Sequence, residues 1–142
     1  MQYREALESD LQTITEILSV NNLPSNDCAK HLGNFVVFEA NGEIIGIGGM
    51  ELFRTVALIR SIAVTTEHRK KGLAKKIIKT LEDKAKQKGV KAVYLLTESA
   101  VLYFTNQGFS IKDRTNIPVS IMQTQQFKEL CPASATVMYK AI

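Results

Sequence analysis

The sequence predicts one α/β domain over residues 1–142, built on a single mixed β-sheet with helices on both faces. Short apolar, β-branched runs alternate with segments whose apolar residues recur at helical spacing. An Asn-Gly pair joins two of these runs into a hairpin. At 142 residues, 45% hydrophobic and 23% charged, the chain suits one globular domain with its own core.

Two helices are expected near the amino terminus. A first strand over 2–5 leads to Ser9, which can cap a helix. The apolar residues of that helix share one face, and they are Leu11, Ile14, Ile17 and Leu18. Leu23-Pro24-Ser25 breaks the pattern, and a second short helix is expected from there to near Gly33.

Three strands are expected in the middle of the chain. Segments 35–40 and 43–47 form a hairpin, because Asn41-Gly42 supplies the positive φ angles of a tight turn. Glycines 46, 48 and 49 are unusual in a strand and indicate a bulge or the close approach of another backbone. Segment 56–64 then returns as the central strand.

The second half alternates helix and strand. A helix is expected from Leu73 to Gly89, followed by a buried strand over 92–96 and a short helix over about 99–107. A strand over 109–112 follows. Ser120 can cap a further helical piece, and 135–139 closes the sheet.

A basic turn, which we call the phosphate turn, joins the central strand to the long helix. It reads Arg69-Lys70-Lys71-Gly72-Leu73-Ala74. A helix start presents unpaired N–H groups and the positive end of the dipole, and Gly72 lets a ligand approach the backbone. The lysines around this start would oppose the dipole unless an anion lay there, so the turn suits phosphate. Alternatively, the lysines are only a solvated helix face.

Two motifs resemble those of the GNAT superfamily of N-acetyltransferases. One is Arg-x-x-Gly-x-Ala at 69–74 after a strand ending in Ile62-Ala63-Val64, and the other is the helix and Gly-Phe segment 100–109. Neither is a Walker loop or a dinucleotide fingerprint. The resemblance covers essentially the whole chain. It implies the GNAT fold, with a single mixed and mostly antiparallel sheet, and acetyl-CoA as the acetyl donor.

The resemblance also implies where the cofactor binds. Backbone groups of Ile62 and Val64 would pair with the pantetheine arm, although both also suit a core strand, and N–H groups of the phosphate turn would hold the pyrophosphate. The Ile62 amide is the candidate for polarising the thioester carbonyl. The residues implicated are Ile62, Ala63, Val64, Arg69, Lys70, Lys71, Gly72, Leu73, Ala74 and Lys75.

The expected reaction transfers acetyl from sulfur to an amine, which needs a base, oxyanion stabilisation and a leaving thiolate. Glu51 and Glu98, each near a strand end, are candidate bases or else surface groups, and His68 is a third option. In many family members, the position of Phe104 holds a tyrosine whose hydroxyl can protonate the departing thiolate. Tyr103 lies one residue earlier, about 100° around a helix. Tyr103 is therefore either the acid or a packing residue.

Arg60 interrupts an apolar run, two residues before Ile62 and so on the same face of a regular strand. An unpaired guanidinium there would be costly. Two roles stay open for it. Arg60 pairs with Glu51 or Glu98, or it clamps an acceptor carboxylate through two hydrogen bonds. Glu98 is the second residue expected to contact the acceptor.

The tail 127–135, with 95–97 and 103–104, resembles one branch of the superfamily. This branch includes arsenic-resistance-associated acetyltransferases and the acetyltransferase module of N-acetylglutamate synthases. The acceptor implied is a small amino acid, a glutamate-like compound or an amino-acid-like toxin. Acetylation of a protein lysine or amino terminus, and a non-catalytic acyl-CoA sensor, remain alternatives.

Charge, apolar runs and cysteine spacing limit the kinds of partner that the chain is expected to bind. The net charge of +4 arises largely between Arg69 and Lys91, which a phosphorylated cofactor explains more locally than nucleic acid does. No signal-peptide core or membrane-length apolar run is visible, so a cytoplasmic monomer or homodimer without a membrane partner is expected. Cys28 and Cys131, with two histidines, lack metal-ligand spacing, so free thiols, a structural Cys131 and no metal are expected.

Overall fold

A computed structural model describes residues 2–130 and 134–142. The strands are β1 (Gln2–Glu5), β2 (Phe35–Ala40), β3 (Glu43–Phe53), β4 (Val56–Val64), β5 (Ala92–Thr97), β6 (Ser110–Lys112) and β7 (Thr136–Ala141). The α-helices are α1 (Leu11–Val20), α2 (Cys28–His31), α3 (Leu73–Gln87), α4 (Val101–Asn106) and α5 (Val119–Met122). Within the described residues, no helix is both long and apolar enough to cross a bilayer.

The strands form one sheet in the order β1-β2-β3-β4-β5-β7-β6. Antiparallel ladders join β1 to β2, β2 to β3, β5 to β7 and β6 to β7, whereas β4 and β5 are parallel. Asn41 and Gly42 have φ angles of 53° and 80°, which is the turn that the sequence predicts. The predicted mixed, mostly antiparallel sheet is confirmed.

Contacts divide the chain into two compact units. The first contains the residues up to Glu51 together with Ile59–Asp83, and the second contains Leu52–Leu58 and the residues from Lys84 onward. Each unit has buried apolar residues of its own. The expectation of a single domain over 1–142 stays a prediction.

In the first unit, helices cover both faces of the strands. On one face, α1 and α2 contribute to a buried cluster of Ile14, Leu18, Cys28, Phe35, Val37, Ile47 and Ala63. On the other face, α3 lies so close to β3 that a Cβ on Gly48 would be 2.4 Å from Ile77 Cγ2. On Gly49 a Cβ would be 2.5 Å from the Phe35 ring. These glycines therefore admit neighbouring side chains, not another backbone, and the register shift lies in β2, at Phe38/Glu39.

In the second unit, α5 packs on its strands. The buried cluster there comprises Leu58, Tyr94, Ile117, Ile121 and Val137. Tyr94 and Tyr139 are cross-strand partners whose ring centroids lie 5.4 Å apart. Aromatic pairs of this kind add to the stability of an antiparallel ladder.

Two predicted helix caps are wrong. Ser9 lies inside a short 3-10 turn, Glu8–Asp10, and the Asp10 carboxylate instead accepts the Leu7 N–H at 2.7 Å. Arg4 holds that carboxylate with two further bonds, at 2.7 and 3.0 Å. Similarly, α5 begins at Val119 after Pro118, so Ser120 lies within it. A proline before a helix start already has a fixed φ and lacks an N–H that would need capping.

Candidate functional site

Arg60 is the centre of a buried group of side chains that we call the Arg60 cluster, composed of Asp27, His31, Glu51 and Arg60. The guanidinium donates two hydrogen bonds to Asp27, one of them to Oδ2 at 2.6 Å, and a third to Glu51 Oε2 at 3.0 Å. The Arg60 side chain is 1% exposed and that of Asp27 0%. Pairing with two carboxylates offsets the cost of burying this charge.

His31 lies at the more exposed side of the cluster. Its Nε2 atom is 3.6 Å from Glu51 Oε1 and 3.7 Å from Asp27 Oδ2, and its side chain is 26% exposed. These are ion-pair distances that exceed a hydrogen bond. Asp27 precedes α2 and His31 ends it, so the two lie one helical turn apart, with Asp27 bonded to Arg60 and His31 facing Glu51.

Sequence reasoning missed Asp27 and His31, because the α2 segment has little apolar periodicity. Two signals were available. A guanidinium inside an apolar run requires a buried acid, and an Asp–His pair four residues apart shares one helix face. Neither signal shows which distant carboxylate meets Arg60.

The pKa directions follow from burial and charge. Burial by itself raises the pKa of Asp27, but the hydrogen bonds and charge of Arg60 outweigh it, so the net shift is downward. For Arg60, burial alone lowers the pKa, and Asp27 raises it overall. Burial raises the pKa of the adjacent Cys28 thiol, which is free as the sequence predicts. The structural role expected for Cys131 concerns a residue outside the described ones.

Asp27, His31 and Glu51 also have a geometry that a metal ion could use. Each offers one ligand atom, and these atoms lie within 4.8 Å of one another. The sequence did not suggest this grouping. Because Arg60 already pairs with both carboxylates, a divalent cation would have to share them with a positive guanidinium. We therefore treat the cluster as an ion-pair network.

Side chains along β4 stop alternating regularly between the two faces of the sheet at Ser61, which has a left-handed φ of 60°. Ile62 lies near the position that a Cβ on Gly48 would take, beside Ile77 and Leu81 of α3. Arg60 contacts Asp27 instead, on the face where Ala63 packs with α1 and α2. The expectation that Arg60 and Ile62 share a face is wrong, because a left-handed residue interrupts the strand between them.

This geometry bears on the two roles left open for Arg60. Its guanidinium donates to Asp27, Glu51 and the Ser61 hydroxyl, and it lies 5.8 Å from the centroid of the Phe35 ring. A buried guanidinium with these partners is committed to the fold. Of the two roles, the structure has the pairing with Glu51.

The phosphate turn has left-handed backbone at Lys70 (φ 63°) and Gly72 (φ 79°). Residues 69–72 are exposed, and α3 begins at the buried Leu73. A Cβ on Gly72 would meet nothing within 4 Å, so the conformation, not the space, favours glycine there. Alternating backbone conformations at a helix start turn successive N–H groups toward one side, which suits an anion.

Arg69 ties the phosphate turn to its surroundings. Its guanidinium donates to the Val64 carbonyl at 3.3 Å and to Asn21 Oδ1 at 2.7 Å, and its own N–H faces the Thr66 carbonyl at 3.5 Å. Asn21 in turn donates from its amide to the Ile17 carbonyl at the end of α1. Arg69 thus braces the turn, and the backbone from Lys70 onward is left to receive a ligand.

The remaining candidate residues are His68, Glu98 and Tyr103, and they lie outside the Arg60 cluster. His68 faces Thr65 within the segment before the turn, with Nδ1 and Oγ1 3.0 Å apart. In the second unit, Glu98 is exposed just after β5, and Tyr103 of α4 is 37% exposed. Burial raises the pKa of Tyr103 above its usual range. The Tyr103 ring packs edge-on against the Phe104 ring, with the two centroids 5.4 Å apart.

Comparisons with known proteins agree with this architecture. An uncharacterised N-acetyltransferase of Chlorobaculum tepidum is 28% identical over 93 residues, which are 65% of this chain and 59% of that protein. An amino-acid acetyltransferase of Aeromonas salmonicida is 23% identical over 62% of this chain and 20% of its own length. The chain therefore spans less than two thirds of either relative.

The fold is also that of a solved enzyme. N-acetylglutamate synthase from Neisseria gonorrhoeae, complexed with coenzyme A and N-acetyl-glutamate, superposes with a TM-score of 0.86. It is 17% identical, and the match covers 99% of this chain and 34% of that one. The sequence model described as "Acetyltransferase (GNAT) family" matches residues 3–109. The predicted resemblance is confirmed, and the chain belongs to the GNAT acetyltransferase family.

Proposed function

We propose that this protein transfers an acetyl group from acetyl-CoA to the amine of a small amino acid or amino-acid-like compound. The observation that carries the proposal is the phosphate turn, with its left-handed Lys70 and Gly72 between β4 and the 15-residue α3, inside the region matched by the family. The amino-acid acetyltransferase and the N-acetylglutamate synthase described above support the choice of acceptor.

We assign cofactor binding to residues of the first unit. N–H groups from Lys70 to Ala74 bind the pyrophosphate, and the exposed Lys71 and Lys75 add charge. Each charge-assisted bond of this kind contributes about 1.5–3 kcal/mol. The parallel ladder of β4 with β5 joins Val56–Leu58 to Ala92–Tyr94, so Ile62 and Val64 lie beyond it. Their backbone pairs with the pantetheine arm.

The reaction requires a neutral amine. Glu51 is the base that takes the proton of the acceptor ammonium, and the Ile62 N–H polarises the thioester carbonyl as the oxyanion forms. Glu51 is buried, and the Arg60 guanidinium donates to its Oε2 at 3.0 Å. This bond holds the carboxylate in one position. Residues held in this way can act with little reorganisation.

Tyr103 and Glu98 belong to the second unit, and their roles as acid and acceptor contact stay predictions. The Tyr103 hydroxyl is protonated at neutral pH, as an acid requires, and burial, which raises its pKa, makes it a weaker proton donor than a free tyrosine. We expect Tyr103→Phe to lower kcat without changing the Kd for acetyl-CoA. Glu98→Gln should raise KM for the acceptor alone. Wild-type kinetics in either variant would remove that residue from the proposal.

Turnover with defined acceptors tests the function. The purified chain is given acetyl-CoA and single free amino acids, glutamate, its phosphinate and arsinate analogues, or a lysine peptide, and CoA release is measured. We expect release with one of the small acceptors and none with the peptide. Release only with the peptide would support protein acetylation, whereas acetyl-CoA binding without any release would support a sensor. Either outcome overturns the proposal.

A further inference from the structure

We propose that His31 and Glu51 act as one acid–base pair, positioned by Asp27 and Arg60, which takes the proton of the acceptor ammonium and passes it to solvent through His31. This inference rests on the proposed function and adds a residue that sequence reasoning did not select. The observation behind it is the geometry of the Arg60 cluster, in which a partly exposed imidazole faces a buried carboxylate.

The charges within the cluster favour uptake of one proton. Asp27 and Glu51 are two buried carboxylates, and Arg60 supplies one positive charge between them. One negative charge is therefore left without a fixed counter-ion. Uncompensated charge in a buried site is costly, so a proton shared by Glu51 and His31 is stabilising there.

The hydrogen bonds distinguish the two oxygens of Glu51. Arg60 donates to Oε2, whereas Oε1 is the oxygen that faces His31 Nε2 at 3.6 Å. Asp27 accepts from Arg60 through both oxygens and lies 3.7 Å from the same imidazole nitrogen. Arg60 therefore leaves Oε1 available for proton transfer, and Asp27 favours the imidazolium that forms.

His31 also provides the route outward. Its side chain is the most exposed of the four, at 26%, whereas those of the other three are 6% exposed or less. Among the described residues, Asp27 before α2 and Glu51 of β3 lie within ion-pair distance of His31. Arg60 of β4 and the Cys28 thiol of α2 interact in turn with Asp27. Within the Arg60 cluster, His31 is therefore the group placed to exchange protons with water.

The proposed step balances as follows. The ammonium loses one proton to the pair, the neutral amine attacks the thioester carbon, and a C–N bond forms as the C–S bond breaks. The second proton lost by the nitrogen goes to the CoA sulfur, giving the thiol. The first proton leaves through His31 to solvent, which returns the pair to its starting state.

Kinetics with His31→Gln test the relay. We expect kcat at neutral pH to fall about 100-fold or more, within the range that proton transfer contributes, while the Kd for acetyl-CoA is unchanged. The lost rate should return as pH rises and the free amine becomes abundant. Added imidazole should restore part of the rate of His31→Ala. Lys30→Gln, an exposed neighbour on α2, is the matched control and should behave like wild type.

A second measurement does not depend on turnover. The chain has two histidines, so His31 and His68 can be distinguished by proton NMR with His31→Gln as the reference. In Glu51→Gln, the pH at which the His31 ring signals move should shift downward, because a neighbouring negative charge is lost. Glu51→Asp draws the carboxylate away from His31 by one methylene and should shift the signals in the same direction but less, so it serves if Glu51→Gln does not fold.

These two measurements separate the failure of each proposal. An unchanged His31 titration in the Glu51 variants would show that the pair is not coupled, whether or not an acceptor is found. A wild-type pH profile in His31→Gln would overturn the relay while leaving acetyl transfer intact. If the wild-type chain releases no CoA with any acceptor, the proposed function fails, and the NMR result alone decides whether the pair exists.

Discussion

Arg60 and Asp27, which are 33 residues apart in the chain, form a buried ion pair in which both guanidinium NH2 groups meet the carboxylate. The pair joins the central strand to the segment that begins α2. Glu51 of β3 shares the same guanidinium. One buried cation thus links three parts of the first unit.

Removing Arg60 should destabilise the fold. Arg60→Ala leaves Asp27 and Glu51 buried without a cation, and breaking such a pair costs about 3–5 kcal/mol. Urea unfolding measures the loss. Asp83→Asn is the control, since it breaks only the exposed Lys79–Asp83 pair and should leave the free energy of unfolding nearly unchanged. Equal, small effects of both variants would show that the buried pair contributes little.

The contribution of Asp27 should depend on pH. Its pKa is lower in the folded chain than its ordinary value of 3.8, so its stabilisation is present above that value and is lost as pH falls through the folded one. The stability difference between wild type and Asp27→Asn should therefore narrow on acidification. Asp10, whose pKa Arg4 lowers, titrates in both proteins and cancels. A constant difference across the acid range would contradict this assignment.

Gly48 should not tolerate a side chain. Its Cβ would lie 2.4 Å from Ile77 Cγ2 and 3.1 Å from Leu81 Cδ1, so Gly48→Ala forces α3 away from β3. Overpacking of this kind costs about 1–3 kcal/mol, which thermal or urea unfolding detects. Gly33→Ala has no atom within 4 Å to meet and should change stability by less than about 0.5 kcal/mol. A neutral Gly48→Ala would mean that the helix and strand separate easily.

Gly72 should matter for cofactor binding more than for folding. Gly72→Ala disfavours the left-handed conformation by about 1–2 kcal/mol, which is enough to weaken acetyl-CoA binding about tenfold. Gly89, with a φ of 86° and open space around it, is a matched control. Gly89→Ala carries the same backbone cost but should keep wild-type affinity by calorimetry. Equal affinities in the two variants would remove the phosphate turn from the binding site.

The sequence by itself determined the local features. Asn41-Gly42 predicts its hairpin because few other residues adopt both positive φ angles, and the basic turn before α3 predicts an anion site because a helix start presents unpaired N–H groups. Arg60 in an apolar run correctly signals a need for a counter-ion. These inferences depend on neighbours in the chain, and the sequence contains that information directly.

Tertiary structure decided which distant groups meet. Asp27 reaches Arg60, and His31 reaches Glu51, only because α2 packs over the strands, and packing depends on contacts that no local pattern encodes. Ser61 is left-handed although serine gives no sign of it, and this residue separates the faces of Arg60 and Ile62. The proposed proton relay and the buried pairing of Arg60 both depend on those long-range contacts, because the energy of a buried charge is set by everything that surrounds it.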